Sequence, residues 1–111
     1  MNNREQRSLE EIKAEILKSL EQMGVETKKI ILFGSRARGD FSKSSDYDFL
    51  IITAKTFSIK EKREIAAGIR KVLVSFYIAS DIIIKSEGEV EYFRNKIGSV
   101  VRQALKEGVA L

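Results

Sequence analysis

The chain contains no cysteine, no histidine and no proline. Without cysteine there are no disulfides, thiolate zinc sites or cysteine nucleophiles. Without histidine there are no histidine triads and no imidazole metal ligands. Any metal must be held by oxygen, which favours magnesium, manganese or calcium. Long apolar runs are also missing. The longest fall far short of the roughly 20 residues that a bilayer span needs. The N-terminus is charged and polar and has no signal-peptide core. A cytoplasmic protein without a membrane segment is expected. Abundant lysine, glutamate and isoleucine fit a thermophile weakly, and the lack of proline adds nothing to that case.

The 111 residues suffice for one domain, 1–111, with one core. A hydrophobic content of 43% predicts a folded chain. The formal charge is +4, from 20 basic and 16 acidic residues, and the pI is about 9.4. This mild excess suits an anionic ligand or an acidic partner. It is too small to argue for nucleic acid, and no aromatics interleave with a basic patch. Direct nucleic-acid binding is not expected. A homo-oligomer stays open.

Helical and strand patterns alternate along the chain. Ser8 with Glu11 is a capping-box pair ahead of Leu9, Ile12, Ile16, Leu20 and Met23 at helical spacing, and Gly24 is a natural stop. Lys29–Phe33 reads as a first strand. Arg36–Gly39 predicts a single helical turn, and Asp40–Ser45 a polar loop. Tyr47–Thr53 reads as a second strand. It is apolar on both faces beyond Asp48, which places it inside a sheet. Ser58 with Glu61 opens a helix whose buried stripe is Ile65, Ala66, Ile69, Val72, Leu73 and Phe76. Asp81–Ile84 is the third strand. Ser86 with Glu89 opens a last helix, lined by Val90, Phe93, Ile97, Val100, Val101, Ala104 and Leu105 and ended by Gly108. The order is α-β-α-β-α-β-α, an α/β or α+β layer fold with three strands. Periodicity leaves the strand order open.

The chemistry concentrates between Gly34 and Asp48. Gly34-Ser35 is followed by ten residues and then by Asp46-Tyr47-Asp48. Carboxylates at i and i+2 of a strand project from one face. Side by side they repel unless a cation sits between them. If the second and third strands are parallel neighbours, Asp81 joins Asp46 and Asp48 at one edge. Such a cage suits one or two Mg²⁺ ions, about 3.5–4 Å apart where there are two, clamping attacking and leaving oxygens. An aspartate ahead of a strand is also an ordinary turn residue, and Asp81 alone reads equally as either. Glycine lets backbone approach a ligand closely, and N–H groups opening a helix favour phosphate. Ser35 adds a hydroxyl, and Arg36 and Arg38 add cations. The spacing is neither a P-loop nor a Rossmann fingerprint. Arg36 and Arg38 read equally as solvated arginines, Lys43 and Asp40 carry no assigned role, and Tyr47 points away from the acids as a packing residue.

Gly-Ser, ten residues, then Asp-x-Asp is the signature of the DNA polymerase β-like nucleotidyltransferase superfamily. Gly34-Ser35-Arg36-Ala37-Arg38-Gly39 through Asp46-Tyr47-Asp48-Phe49-Leu50-Ile51 resembles its minimal nucleotidyltransferases, the MNT proteins. The resemblance covers almost the whole chain, including Asp81-Ile82-Ile83-Ile84 and the closing Ala104-Leu105-Lys106-Glu107-Gly108-Val109. It implies a nucleotidyltransferase fold, a three-stranded mixed sheet flanked by helices. It implies that Asp46 and Asp48 are paired metal ligands and that Asp81 is a third ligand that helps deprotonate an incoming hydroxyl. Gly34 and Ser35 would hold the triphosphate, with Arg36 and Arg38 beside them as nucleotide-binding cations. The cofactor would be Mg²⁺, one ion or two, and the substrate ATP. Larger members carry a second domain, whereas this chain stops soon after its third strand. The acceptor would then come from a second protein. MNT proteins typically accompany HEPN proteins, helical and often RNases, as antitoxin and toxin. The resemblance therefore implies AMP transfer to a tyrosine of a HEPN toxin. Two other readings stand beside it: an antitoxin that acts by contact alone over a vestigial site, and nucleotidyl transfer to a small molecule such as an aminoglycoside.

Overall fold

The computed structural model describes residues 7–111. Helix α1 (Leu9–Gln22) begins where the Ser8 side chain accepts from the Glu11 N–H while the Glu11 carboxylate accepts from the Ser8 N–H. Its inner face buries Ile12, Ile16, Ser19 and Leu20, while Leu9 and Met23 at its ends stay exposed. Strand β1 (Thr27–Phe33) starts two residues earlier than the apolar run suggests, because Thr27 pairs with Thr53 across a register irregularity. The turn α2 (Ser35–Arg38) follows at once and ends on Gly39. Strand β2 (Tyr47–Thr53) has the expected bounds. Helix α3 (Ile59–Ser75) is capped by Ser58 and Glu61 as the sequence predicts and buries Ile65, Ala66, Ile69 and Leu73. Val72 and Phe76 of the predicted stripe are only half-buried. Strand β3 is Ser80–Ser86.

The last expected helix is two. Helix α4 (Glu87–Phe93) carries the Ser86–Glu89 capping box, and α5 (Val100–Glu107) begins after a turn. The cause is a second cap. Ser99 accepts from the Arg102 N–H and donates its hydroxyl to the Phe93 carbonyl at 2.8 Å, while Gly98 takes a positive φ of 84°. The break lets α4 pack on β3 and β2 while α5 packs on β1. Ile97, placed in the stripe by spacing, is 91% exposed in this turn. Leu105 is exposed too, while Val101 and Ala104 are buried.

The sheet has a fourth strand, β4 (Val109–Ala110), giving the order β3-β2-β1-β4. It pairs antiparallel with β1, and the Leu111 N–H extends the pairing to the Ile30 carbonyl. Two residues are too few to show alternation, so a three-stranded expectation misses it. A Cβ on Gly108 would overlap Ala104 O and Ile31, so glycine is what lets α5 end against β1. β1 and β2 are antiparallel and β2 and β3 parallel, so the sheet is mixed and β2 lies inside it.

Alternation along the strands sends side chains to two unlike faces. One face carries Ile30, Leu32, Phe49, Ile51, Ile82 and Ile84 under α1 and α3. Phe49 there is fully buried, which stabilises by about 1.5–3 kcal/mol relative to exposure. The other carries Ile31, Phe33, Leu50 and Ile52, closed by Ala104 of α5 and flanked by Val90 and Val100. Among the described residues no helix is long and apolar enough to cross a membrane.

Candidate active site

The second face ends in acids. Phe33 lies opposite Asp48 across the antiparallel pair, and Asp48 lies opposite Asp81 across the parallel pair. Register partners share a face, so Asp48 and Asp81 stand side by side at the end of the Ile31–Phe33–Leu50–Ile52 surface. Asp46 lies just before β2, two residues from Asp48. The condition set by the sequence, parallel neighbouring strands, is met.

Electrostatics reports the proximity. The Asp48 carboxyl is pushed above the ordinary aspartate range, first by burial and then by repulsion from Asp81 and Asp46, with Arg38 opposing and Glu107 adding to the rise. Each added negative neighbour favours the protonated acid. A divalent cation would reverse that preference. Among the described residues no three acids close into a ready-made metal cluster. Mg²⁺ usually takes only one or two carboxylates and completes its shell with water and substrate oxygens. An all-oxygen pair with unrelieved repulsion fits such an ion.

The glycine turn meets the acids directly. Gly34 has φ 73° and ψ −160°, a region open essentially to glycine alone. A Cβ built there would overlap Asp48 Oδ2 and lie 3.0 Å from Asp48 Cγ. The missing side chain is the space that the carboxylate occupies. The Gly34 carbonyl accepts from the Ala37 and Arg38 N–H groups at 3.0 Å, which turns the chain into α2 behind Ser35.

The two arginines make separate contacts. Arg36 lies over Phe41 and Tyr47, its guanidinium carbon 4.3 and 4.4 Å from the ring centroids. It donates to the Ser45 carbonyl at 3.1 and 3.2 Å and to the Lys43 carbonyl at 3.3 Å. These contacts make Arg36 the clasp of the 40–45 loop. Tyr47 stacks on Phe49 on the face opposite the acids, which agrees with a packing role. Arg38 reaches the acid end. Its Nη1 donates to both Glu107 oxygens at 3.1 Å and its Nε to Asp40 at 3.3 Å. Those two acids raise its pKa further.

Glu107 is the residue that motif reasoning passes over. It closes α5, far along the chain, yet Oε1 accepts from the Gly34 N–H at 3.0 Å. Burial alone would raise its pKa, but the Gly34 N–H and Arg38 outweigh it and hold the carboxylate below its usual range. One signal was present: an acid in the last turn of a helix, where the macrodipole disfavours it. A cavity of about 150 Å³ lies elsewhere, between α1 and α3, lined by Ile12, Leu73, Phe76 and Ile78. Asp46, Asp48, Asp81 and Glu107 do not line it.

Comparison with known proteins gives this arrangement a family. The nucleotidyltransferase domain profile matches residues 13–111. The chain belongs to the nucleotidyltransferase domain family. "Putative protein adenylyltransferase MJ0604" of Methanocaldococcus jannaschii is 39% identical over 85 residues, 76% of this chain and 77% of that protein. Two solved structures share the fold. One is a toxin–antitoxin with AMP-PNP, with TM-score 0.59, 22% identity, and 87% of this chain against 69% of that one covered. The other is a complex of a tri-AMPylated Shewanella oneidensis HEPN toxin with MNT antitoxin, with TM-score 0.53, 20% identity, and 89% against 67% covered. This chain is thus a nucleotidyltransferase with an α+β fold and a four-stranded mixed sheet.

Proposed function

We propose that this nucleotidyltransferase is an antitoxin that transfers AMP from ATP to a tyrosine hydroxyl of a HEPN-type RNase toxin. The carrying observation is the register pair Asp48–Asp81, set against the Cβ-less Gly34 and next to Asp46. The relatives lend support: one is named as a protein adenylyltransferase, and the antitoxin of similar fold is complexed with an AMPylated HEPN toxin.

The residues divide the work. Asp46 and Asp48, with Asp81, would hold Mg²⁺, which supplies charge neutralisation to the triphosphate and to the departing pyrophosphate. Gly34 admits backbone to the phosphates, and Ser35 offers a hydroxyl beside them. Arg38 stands at the same end as a cation for phosphate oxygens. Arg36 serves the nucleotide indirectly, by fixing the loop that leads into Asp46. The tyrosine oxygen attacks the α-phosphorus in line, the bond to the β-phosphate oxygen breaks, and pyrophosphate leaves. Asp81, the most exposed acid of the register pair, accepts the hydroxyl proton. Catalysis of this kind is positioning plus electrostatic stabilisation, which explains how a chain without histidine or cysteine performs it.

The test is intact-mass analysis of a cognate HEPN-type protein incubated with this chain, ATP and Mg²⁺, with Asp46→Ala/Asp48→Ala as control. Mass gained in AMP units and lost in the control is expected. Complex formation without mass gain would replace transfer by neutralisation through contact. Neither complex nor gain would turn the search to small-molecule acceptors.

A further inference from the structure

Glu107 sits where the end of α5, the glycine turn and Arg38 meet. Its Oε1 takes the Gly34 N–H at 3.0 Å, both of its oxygens take Arg38 Nη1 at 3.1 Å, and Gln103 Nε2 adds a third donor at 3.3 Å. We propose that Glu107 is a positioning residue for the nucleotide, holding the Gly34 turn and the Arg38 guanidinium in the poses that receive the triphosphate. The role rests on the nucleotidyltransfer reading above.

Three observations carry it. First, the placement is costly on its own terms. A carboxylate in the last helical turn opposes the dipole, and it repels the Asp48 carboxylate. Local helix stability does not account for it, whereas its partners do. Second, Gly34 is held from two sides. The Asp48 carboxylate fills the space of its absent side chain, and Glu107 takes its N–H. Its φ of 73° is one that only glycine adopts readily, so these contacts hold a backbone turn that other residues could not form. Third, the hold on Arg38 is partial. Glu107 and Asp40 engage Nη1 and Nε, and neither takes Nη2. A guanidinium fixed on one side by a carboxylate can present its remaining donors as a rigid fork to phosphate oxygens, with less orientational freedom to lose on binding. The anchor is local: Gly108 lets α5 close on Ile31, and β4 continues along β1. The C-terminal segment thereby tells the glycine turn where to stand.

The experiment measures Mg·ATP affinity by calorimetry, and thermal stability in parallel, for the parent chain, Glu107→Ala, Glu107→Gln, Arg38→Ala and the Glu107→Ala/Arg38→Ala pair. Glu107→Ala should weaken ATP binding about tenfold, the scale of one charge-assisted contact. Glu107→Gln keeps an oxygen for the Gly34 N–H and should recover part of the loss. Arg38→Ala should cost affinity in the parent chain but little more in Glu107→Ala, because the two act as a unit. A lower melting temperature with unchanged ATP affinity would make Glu107 a stability element and overturn the role. Tighter ATP binding in Glu107→Ala would overturn it too, since the carboxylate would then be competing with phosphate. Additive losses would remove the connection through Arg38. A parent chain that binds no ATP would sink the underlying reading itself, a pattern distinct from the others because the failure precedes any substitution.

Discussion

Replacing Gly34 by alanine tests how the glycine turn and the acid edge are joined. The substitution costs energy twice. Its backbone, at φ 73° and ψ −160°, occupies a region that costs an alanine about 1–3 kcal/mol. Its Cβ would then overlap Asp48 Oδ2, on a half-buried carboxylate that must shift, and overpacking of this kind adds about 1–3 kcal/mol. The sum is roughly 2–6 kcal/mol, a loss on the order of 8–24 °C at about 4 °C per kcal/mol for a chain of this length. Gly39→Ala is the control. Gly39 also has positive φ, 87°, but nothing lies within 4 Å of a Cβ there. Only the left-handed backbone penalty applies, about 1–2 kcal/mol. Urea denaturation followed by circular dichroism gives each value. In an Asp48→Ala background the Gly34→Ala cost should shrink toward the backbone part alone, since the carboxylate is gone. Equal costs for Gly34→Ala and Gly39→Ala, or a Gly34→Ala cost unchanged by removing the Asp48 carboxylate, would refute the reasoning.

Two further outcomes follow from the electrostatics and the loop. With its pKa raised above the ordinary 3.8 by burial and by Asp81 and Asp46, Asp48 ionises later in the folded chain than in the unfolded one. Stability is therefore lost as pH rises through that window and stays lost at neutrality. Asp48→Asn should melt a few degrees higher at pH 7 in EDTA, with the difference closing near pH 3, while transfer activity disappears; an unaltered melting temperature at pH 7 would count against the acid cluster. Arg36→Ala removes two cation–ring contacts and the bonds to the Ser45 and Lys43 carbonyls, about 1–2 kcal/mol in all. Limited trypsin digestion should then cut faster at Lys43, and Arg36→Lys, which lacks the planar fork, should protect only in part.

Where local chemistry decides, the sequence was legible. All three Ser/Glu capping boxes form, because each needs only a serine and a glutamate three residues on. β2 was read with its bounds and its central position, since a run apolar on both faces has nowhere else to go. The juxtaposition of Asp48 and Asp81 was legible only as a condition, because parallel pairing is a property of the sheet and leaves no local mark. The break at Gly98 was missed because Ile97 and Val100 keep helical spacing on either side, while the Ser99 hydroxyl satisfies the Phe93 carbonyl instead. β4 and Glu107 were missed for one reason: both are defined by partners more than 70 residues away, across β1 and at Gly34. Arg36 and Arg38 look alike in sequence. Only the positions of Phe41, Tyr47 and Glu107 tell the clasp from the cation at the acid edge.

The unequal faces of the sheet have a consequence for how the molecule comes apart. The α1–α3 face binds its helices through a long run of buried aliphatics, whereas the acid-bearing face rests on Ile31, Phe33, Leu50, Ile52 and Ala104 under two short helices. Opening free energy follows buried apolar contact, so fluctuations should lift the α4–α5 layer well before the larger core yields. Lifting that layer carries Glu107 away from Gly34 and Arg38. The chain would then lose the order of its site by a sub-global opening while most of its amides stay protected, so warming should silence it before it melts.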